Sequence, residues 1–219
     1  MHRLLVLPIL FGLLVAPAAN AASTAELKVA GRISPPACTI TLGGGGLVDY
    51  GDIPTSRMNV NSPTPLPART LSLNVDCNAP VRFALSAHDN RGASAPISEF
   101  SGNMGTWDHY GMGKFKNRNI GWYVIRLQPA GLRGDGAAVA VLNKNGGDLW
   151  ETDSVGQFGR ANGSYKKKSF VSTGGSFPDA FKSLSGTISI APTINPLGGL
   201  SLTEEIPFEG SASIELTYL

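Results

Sequence analysis

Cys38 and Cys77 are the only thiols in this chain of 219 residues. Two cysteines allow one connectivity, and in an oxidising compartment they are expected to form a disulfide closing a loop of 39 residues. Other reactive chemistry is sparse. His88 and His109 lie far apart without ligand spacing, and no free cysteine is left to join them at a metal. Asp108 adjoins His109, but neighbours in an extended chain point to opposite sides, so the pair reads as surface loop rather than as an acid–base couple. No Gly-x-Ser-x-Gly elbow is present, and Gly43 to Gly46 lacks the Lys-Ser/Thr of a phosphate loop. No catalytic residue, metal or cofactor is therefore expected. One group suits a ligand: Trp107, Tyr110, Trp122 and Tyr123 have rings able to stack on a sugar. The same rings equally suit capping an open end of a sandwich.

The elements that would hold these residues begin after a leader. His2 and Arg3 precede the apolar run Leu4 to Ala18, and Ala19-Asn20-Ala21 supplies small residues for cleavage. Residues 1–21 read as a secretory signal peptide, so the protein is expected to be exported, with no later segment apolar enough to span a membrane. Without the leader, 198 residues remain. Arg3 goes with it, leaving 17 Lys and Arg against 16 Asp and Glu. So even a balance argues against nucleic acid as a partner. Lys166-Lys167-Lys168 is the one basic run and reads as a solvated turn.

Gly (27) and Pro (15) punctuate many short alternating segments, which is the profile of an all-β sandwich. Arg69 to Cys77 alternates with Leu71, Leu73 and Val75 inward; Val81, Phe83, Leu85 and Ala87 continue the pattern after Asn78-Ala79-Pro80, which suggests a hairpin. Asn119 to Gln128 is a strand with an apolar centre. Gln157 to Gly175 reads as loop plus an edge strand, and Gly186 to Ile194 as a strand interrupted by Pro192. The chain ends on a strand with Ala212, Ile214, Leu216 and Tyr218 on one face. Residues 90–119 sustain no period and form a long insert. Residues 35–219 are expected to make one domain.

Residues 22–34 stand apart. Leu27, Val29, Gly31 and Ile33 alternate with Glu26, Lys28, Ala30 and Arg32, a strand pattern with no turn to bring it a neighbour, ending at Pro35-Pro36. It is either the first strand of a self-complete sandwich, with Gly31 as a bulge, or a strand meant for another molecule.

Several of these stretches resemble chaperone–usher pilins, the subunits of fimbriae. They are "GRISPPAC" at Gly31 to Cys38, "VDYGDI", "LSLNVDC" ending at Cys77, "NIGWYVIRL" from Asn119, and "IELTYL" with Tyr218 penultimate. The fullest similarity is to a group of proteobacterial fimbrial-like exported proteins of unknown function. The resemblance implies an Ig-like sandwich lacking its last strand, with Leu27, Val29, Gly31 and Ile33 as a donor strand for a neighbouring subunit. It also implies a C-terminal edge, Ala212, Ile214, Leu216 and Tyr218, facing a periplasmic chaperone before delivery to an outer-membrane usher. The implied role is a structural subunit that passes through the periplasm to a cell-surface fimbrium and mediates attachment. The alternative is a monomeric periplasmic or secreted sandwich binding carbohydrate or protein through 90–119. Three departures stand out: without its leader the chain is longer than a simple pilin, the insert has no pilin counterpart, and Ile206 occupies a position where pilins often carry Gly, with Gly210 nearer the end.

Overall fold

The structure, a computed structural model, describes residues 24–34, 36–95, 108–145, 147–159, 165–200 and 204–219. The leader and Trp107 lie outside them. The chain divides into two units, Met1–Ser34 and Pro35–Leu219.

The second unit is all β. Its strands are β1 (Cys38–Leu42), β2 (Thr64–Pro65), β3 (Arg69–Val81), β4 (Phe83–Asp89), β5 (Tyr110–Gly111), β6 (Lys114–Phe115), β7 (Arg118–Asn119), β8 (Gly121–Leu127), β9 (Arg133–Gly134), β10 (Ala137–Asn145), β11 (Glu151–Thr152), β12 (Tyr165–Ser172), β13 (Phe181–Ile194) and β14 (Ala212–Tyr218). Among the described residues the only helical turns are short 3₁₀ turns. One layer runs β1-β3-β13-β8, with β2 and β9 also on β13 and β5 on β8; the other runs β14-β4-β12-β10-β11. The β9–β10 hairpin joins the two layers. Period-2 side chains from both layers fill the space between: Leu73, Val75, Ile125, Leu127, Leu184 and Ile188 from one, Phe83, Leu85, Ala87, Val141 and Phe170 from the other. Phe83 and Phe170 meet at 5.6 Å between ring centroids.

The expected disulfide is present. Cys38 and Cys77 sit directly opposite each other on β1 and β3. The β9–β10 turn uses Asp135 and Gly136, both at positive φ (49° and 82°), the conformation a two-residue Asp-Gly hairpin favours. The Asp135 carboxylate then accepts the Lys182 and Ser183 N–H groups and the Ser183 hydroxyl, where the β13–β3 register shifts. Partial burial pushes this carboxyl up, but those hydrogen bonds and the Lys182 charge outweigh it and hold it below its ordinary 3.8.

Five sequence expectations change. The strands flanking Asn78-Ala79-Pro80 form no hairpin: β3 continues through Val81, and the chain crosses to the other layer at Arg82. Both edges of β3 are already taken, by β1 and β13, while β4 pairs with β14 and β12. Alternation marks a buried face but not the neighbour. Pro192 does not interrupt β13. It pairs in register with Tyr123, and its missing N–H lies on the side where its carbonyl accepts the Leu66 N–H, beside the two-residue β2. The Gln157 to Gly175 region holds an interior strand, β12, rather than an edge. Lys168 is consequently not part of a solvated turn; it is 2% exposed. His109 is buried against Trp122 instead of lying on the surface, with ring centroids 5.2 Å apart.

Two outcomes test this frame. Replacing both cysteines by alanine is expected to lower stability by on the order of 4 kcal/mol in urea unfolding, as a closed loop of this length implies. Asp135→Ala is expected to destabilise the fold at neutral pH. Because the folded-state carboxyl titrates below its unfolded value, its contribution is complete above the unfolded pKa, and the gap between wild type and variant should close as pH falls through the folded one.

Candidate functional site

β1 and β14 are the two ends of the strand order, and among the described residues each has one partner, β3 and β4 respectively. Register shows which way their main-chain groups point. Ala37 and Asn78 form a hydrogen-bonded pair, through Asn78 N–H to Ala37 O. Counting along the antiparallel ladder, Thr39 and Thr41 bond β3, while Cys38, Ile40 and Leu42 turn their N–H and C=O groups to the open side. On β14, Asn90 N–H donates to Ser211 O and Leu219 N–H to Arg82 O. So Ser213, Glu215 and Thr217 bond β4, and Ala212, Ile214, Leu216 and Tyr218 face outward along the edge.

Apart from Tyr218, which is 46% exposed, these outward-bonding residues are also the ones whose side chains pack toward the core. Ile40, Leu42, Ala212, Ile214 and Leu216 pack against the buried cluster yet stay only half-buried. Each edge thus presents unsatisfied main-chain groups and incompletely covered aliphatic surface on the same alternate positions. At one end the two edges meet: the Cys38 N–H donates to the Tyr218 hydroxyl at 3.0 Å. The C-terminal face expected from the sequence lies along one of these two edges. The other lip, Ile40 and Leu42, was missed, although Cys38, Ile40 and Leu42 share one parity and that parity was the available signal.

Toward the start of β14, the insert is fastened to the segment leading into that strand. Arg91 pairs with Glu209 at 2.6 Å and Lys116 with Glu204 at 2.5 Å, and Glu209 N–H donates to Met112 O. Asp89, buried, accepts the Arg91 and Gly111 N–H groups. Gly111 has no room for a side chain: a Cβ there would lie 2.3 Å from Arg91 O. Tyr110, Trp122 and Tyr123 are buried in this region, and Tyr110 stacks on Tyr123 at 5.3 Å. None of the three is an exposed platform for a sugar: β5 pairs with β8 and turns Tyr110 and Tyr123 onto one another and into the core, while Trp122, on the alternate position of β8, is buried against His109. Burial, with the Asp89 charge adding to it, pushes the Tyr123 hydroxyl well above an ordinary phenol, so it stays protonated.

The described part of the first unit, residues 24–34, carries no strand and is exposed along its length. Leu27, Val29 and Ile33 are 89%, 92% and 100% exposed, three aliphatic side chains on alternate positions with nothing over them. Open space also surrounds Gly31. The alternation that predicts a half-buried strand here is real, but its buried face is not.

A family model described as "Protein of unknown function (DUF1120)" matches residues 27–120, from the first exposed aliphatic residue of the extension through β1, β3, β4 and the insert. Along nearly its whole length the chain is similar to two proteins of Escherichia coli (strain K12). It is 24% identical to "Uncharacterized protein YhcF" over 229 residues, covering 93% of this chain and 94% of that protein. It is also 24% identical to "Protein GltF" over 226 residues, covering 89% and 88%. The match thus extends over the exposed extension as well as the sandwich.

Amide exchange reports on the two edges directly. Thr39, Thr41, Ser213, Glu215 and Thr217 are expected to exchange slowly, and Ile40, Leu42, Ile214 and Leu216 rapidly. Cys38 should be protected in the wild type and lose that protection in Tyr218→Phe. Uniformly slow exchange along both strands would mean that both edges are covered in solution.

Proposed function

We propose that this protein is a structural subunit of a fimbrial type, joined head to tail when the N-terminal extension of one copy fills the open edges of the next. The observation that carries this reading is the coincidence, on β1 and β14, of outward main-chain groups with half-covered aliphatic side chains. Such an edge is a template for one more strand. The layer orders β1-β3-β13-β8 and β14-β4 follow the A-B-E-D and F-C orders of an immunoglobulin-type sandwich, in which a seventh strand lies beside F. The vacant place is therefore the free side of β14.

The extension has the chemistry to occupy it. Leu27 to Ile33 is six residue steps, roughly 20 Å when extended, the same as Ala212 to Tyr218. Leu27, Val29 and Ile33 would enter alongside Ile214, Leu216, Ile40 and Leu42, each burial contributing roughly 1.5–3 kcal/mol. Gly31 brings the backbone close where a side chain would crowd the floor. A head-to-tail contact does not close on itself, so it propagates into a filament. In this reading a periplasmic chaperone supplies the missing strand first, an outer-membrane usher exchanges it for the neighbouring subunit's extension, and the assembled fibre serves attachment at the cell surface. The alternative, a monomer binding carbohydrate through 90–119, draws no support from Tyr110, Trp122 and Tyr123, whose rings are buried.

The test uses the mature chain. It is expected to form SDS-resistant multimers, and deletion of residues 22–34 to abolish them. The shortened chain should still bind a synthetic peptide of residues 24–34, and Ile214→Asp should weaken that binding at least tenfold. A shortened chain that stays monomeric, keeps the stability of the full chain and ignores the peptide would overturn the reading.

A further inference from the structure

Away from the open edges, three polar side chains meet inside the second layer. Lys168 of β12 is 2% exposed and lies directly across from Asn143 of β10. Its Nζ donates to Asn143 Oδ1 at 3.0 Å and pairs with an oxygen of Asp153. The surroundings are apolar: Phe170 and Val141 are the next residues on the same face of the two strands, Leu85 of β4 is the register partner on the other side, and all three are buried. The Asp153 carboxylate is held in place from behind. Its Oδ1 accepts the N–H groups of Val155 and Gly156, each at 2.9 Å. That loop depends on glycine: Gly156 has φ 67°, and a Cβ there would lie 2.0 Å from Leu127 O.

The set consists of a buried amine with a half-buried carboxamide and carboxylate beside it, all pre-positioned. We propose that Lys168 and Asn143 join through an intramolecular amide bond, with Asp153 carrying the protons. Partial burial pushes the Asp153 carboxyl up, but the hydrogen bonds from Lys168, Gly156 and Val155 and the Lys168 charge outweigh it, so the ion pair is the resting state and the step draws on its minor neutral form, in which the ammonium proton has passed to Asp153. The amine lone pair attacks Asn143 Cγ, and the new C–N bond forms as the carbonyl π pair moves to oxygen. The tetrahedral centre collapses: the attacking nitrogen passes its surplus proton to the departing nitrogen, the old C–N bond breaks, and ammonia leaves. Asp153 then gives its proton to the ammonia, so the products are the amide, ammonium and the original carboxylate. No oxidant, reductant or cofactor is consumed. The strands already supply the orientation that makes such a step feasible without an enzyme; well-oriented intramolecular reactions reach effective concentrations of about 10⁵–10⁸ M.

The measurement is the intact mass of the purified mature chain, after reduction of the disulfide and denaturation. The wild type is expected about 17 Da below its sequence mass, the loss of one ammonia. Trypsin should release residues 134–144 and 168–182 as one linked species, because an acylated Lys168 blocks cleavage after it. Lys168→Met and Asn143→Ala should restore the full mass, and Asp153→Ala should give unlinked or only slowly linked chain. A wild-type chain at its full sequence mass, with peptides 134–144 and 169–182 recovered separately, overturns the proposal and leaves the three residues as a structural ion pair. The wild-type spectrum decides this even if a variant fails to fold, and its outcome is independent of strand exchange.

Discussion

A main chain buried in a β-sandwich must find partners for its N–H and C=O groups, and among the described residues the two end strands, β1 and β14, have partners on one side only. The consequence is sharpened by parity. In an antiparallel sheet the residues that turn their backbone away from a neighbour alternate with those that bond it, and side chains alternate on the same period. On β1 and on β14 the two alternations fall in phase, so the positions with unsatisfied backbone are also those facing the core. An added strand would therefore satisfy polar groups and cover apolar ones in a single act. The rest of the fold serves to hold those two edges at a fixed separation: the disulfide fastens β1 to the central β3, and the Tyr218 hydroxyl fastens the end of β14 to the start of β1.

Much of this was legible in the residues. Alternation located most of the long strands and their buried faces, the two cysteines dictated their own pairing, and of the C-terminal face expected from Ala212, Ile214, Leu216 and Tyr218 the first three lie against the core while Tyr218 is 46% exposed. What was not legible is pairing. The run from Leu71 to Ala87 keeps one inward phase from β3 to β4, and nothing in it says that Arg82 is a crossing between layers rather than a hairpin tip. Lys168 misled for a related reason. A basic run is usually solvated, and its burial depends on Asn143 and Asp153, which reach it only once β10 and β12 pair. The aromatic residues around the insert were ambiguous because large rings serve packing and binding alike, and only the β5–β8 pairing turned them inward.

The extension is the instructive mismatch. Its period-2 pattern carries the same signal as β3, yet no strand forms there and its aliphatic residues remain in water. Local consistency without a local partner is what the proposed strand exchange would require of this segment, since sites of interaction are where sequence and isolated fold are expected to disagree. That the family match starts at Leu27 agrees with treating this segment as part of the working molecule.

The strand order also constrains how the polypeptide can acquire its shape as it emerges from its amino end. β3 needs β13 and β4 needs β14, so the earliest long strands appear well before the segments that flank them exist. Only the short β1–β3 ladder can close early, and its cysteines are the pair that oxidation would lock. Until the carboxyl-terminal third arrives, Phe83 and Leu85 have no sheet to lie in. Nascent chains of this topology therefore pass through a stage in which sticky strands outnumber available neighbours, which makes escort during emergence a property of the order of segments rather than of any single residue.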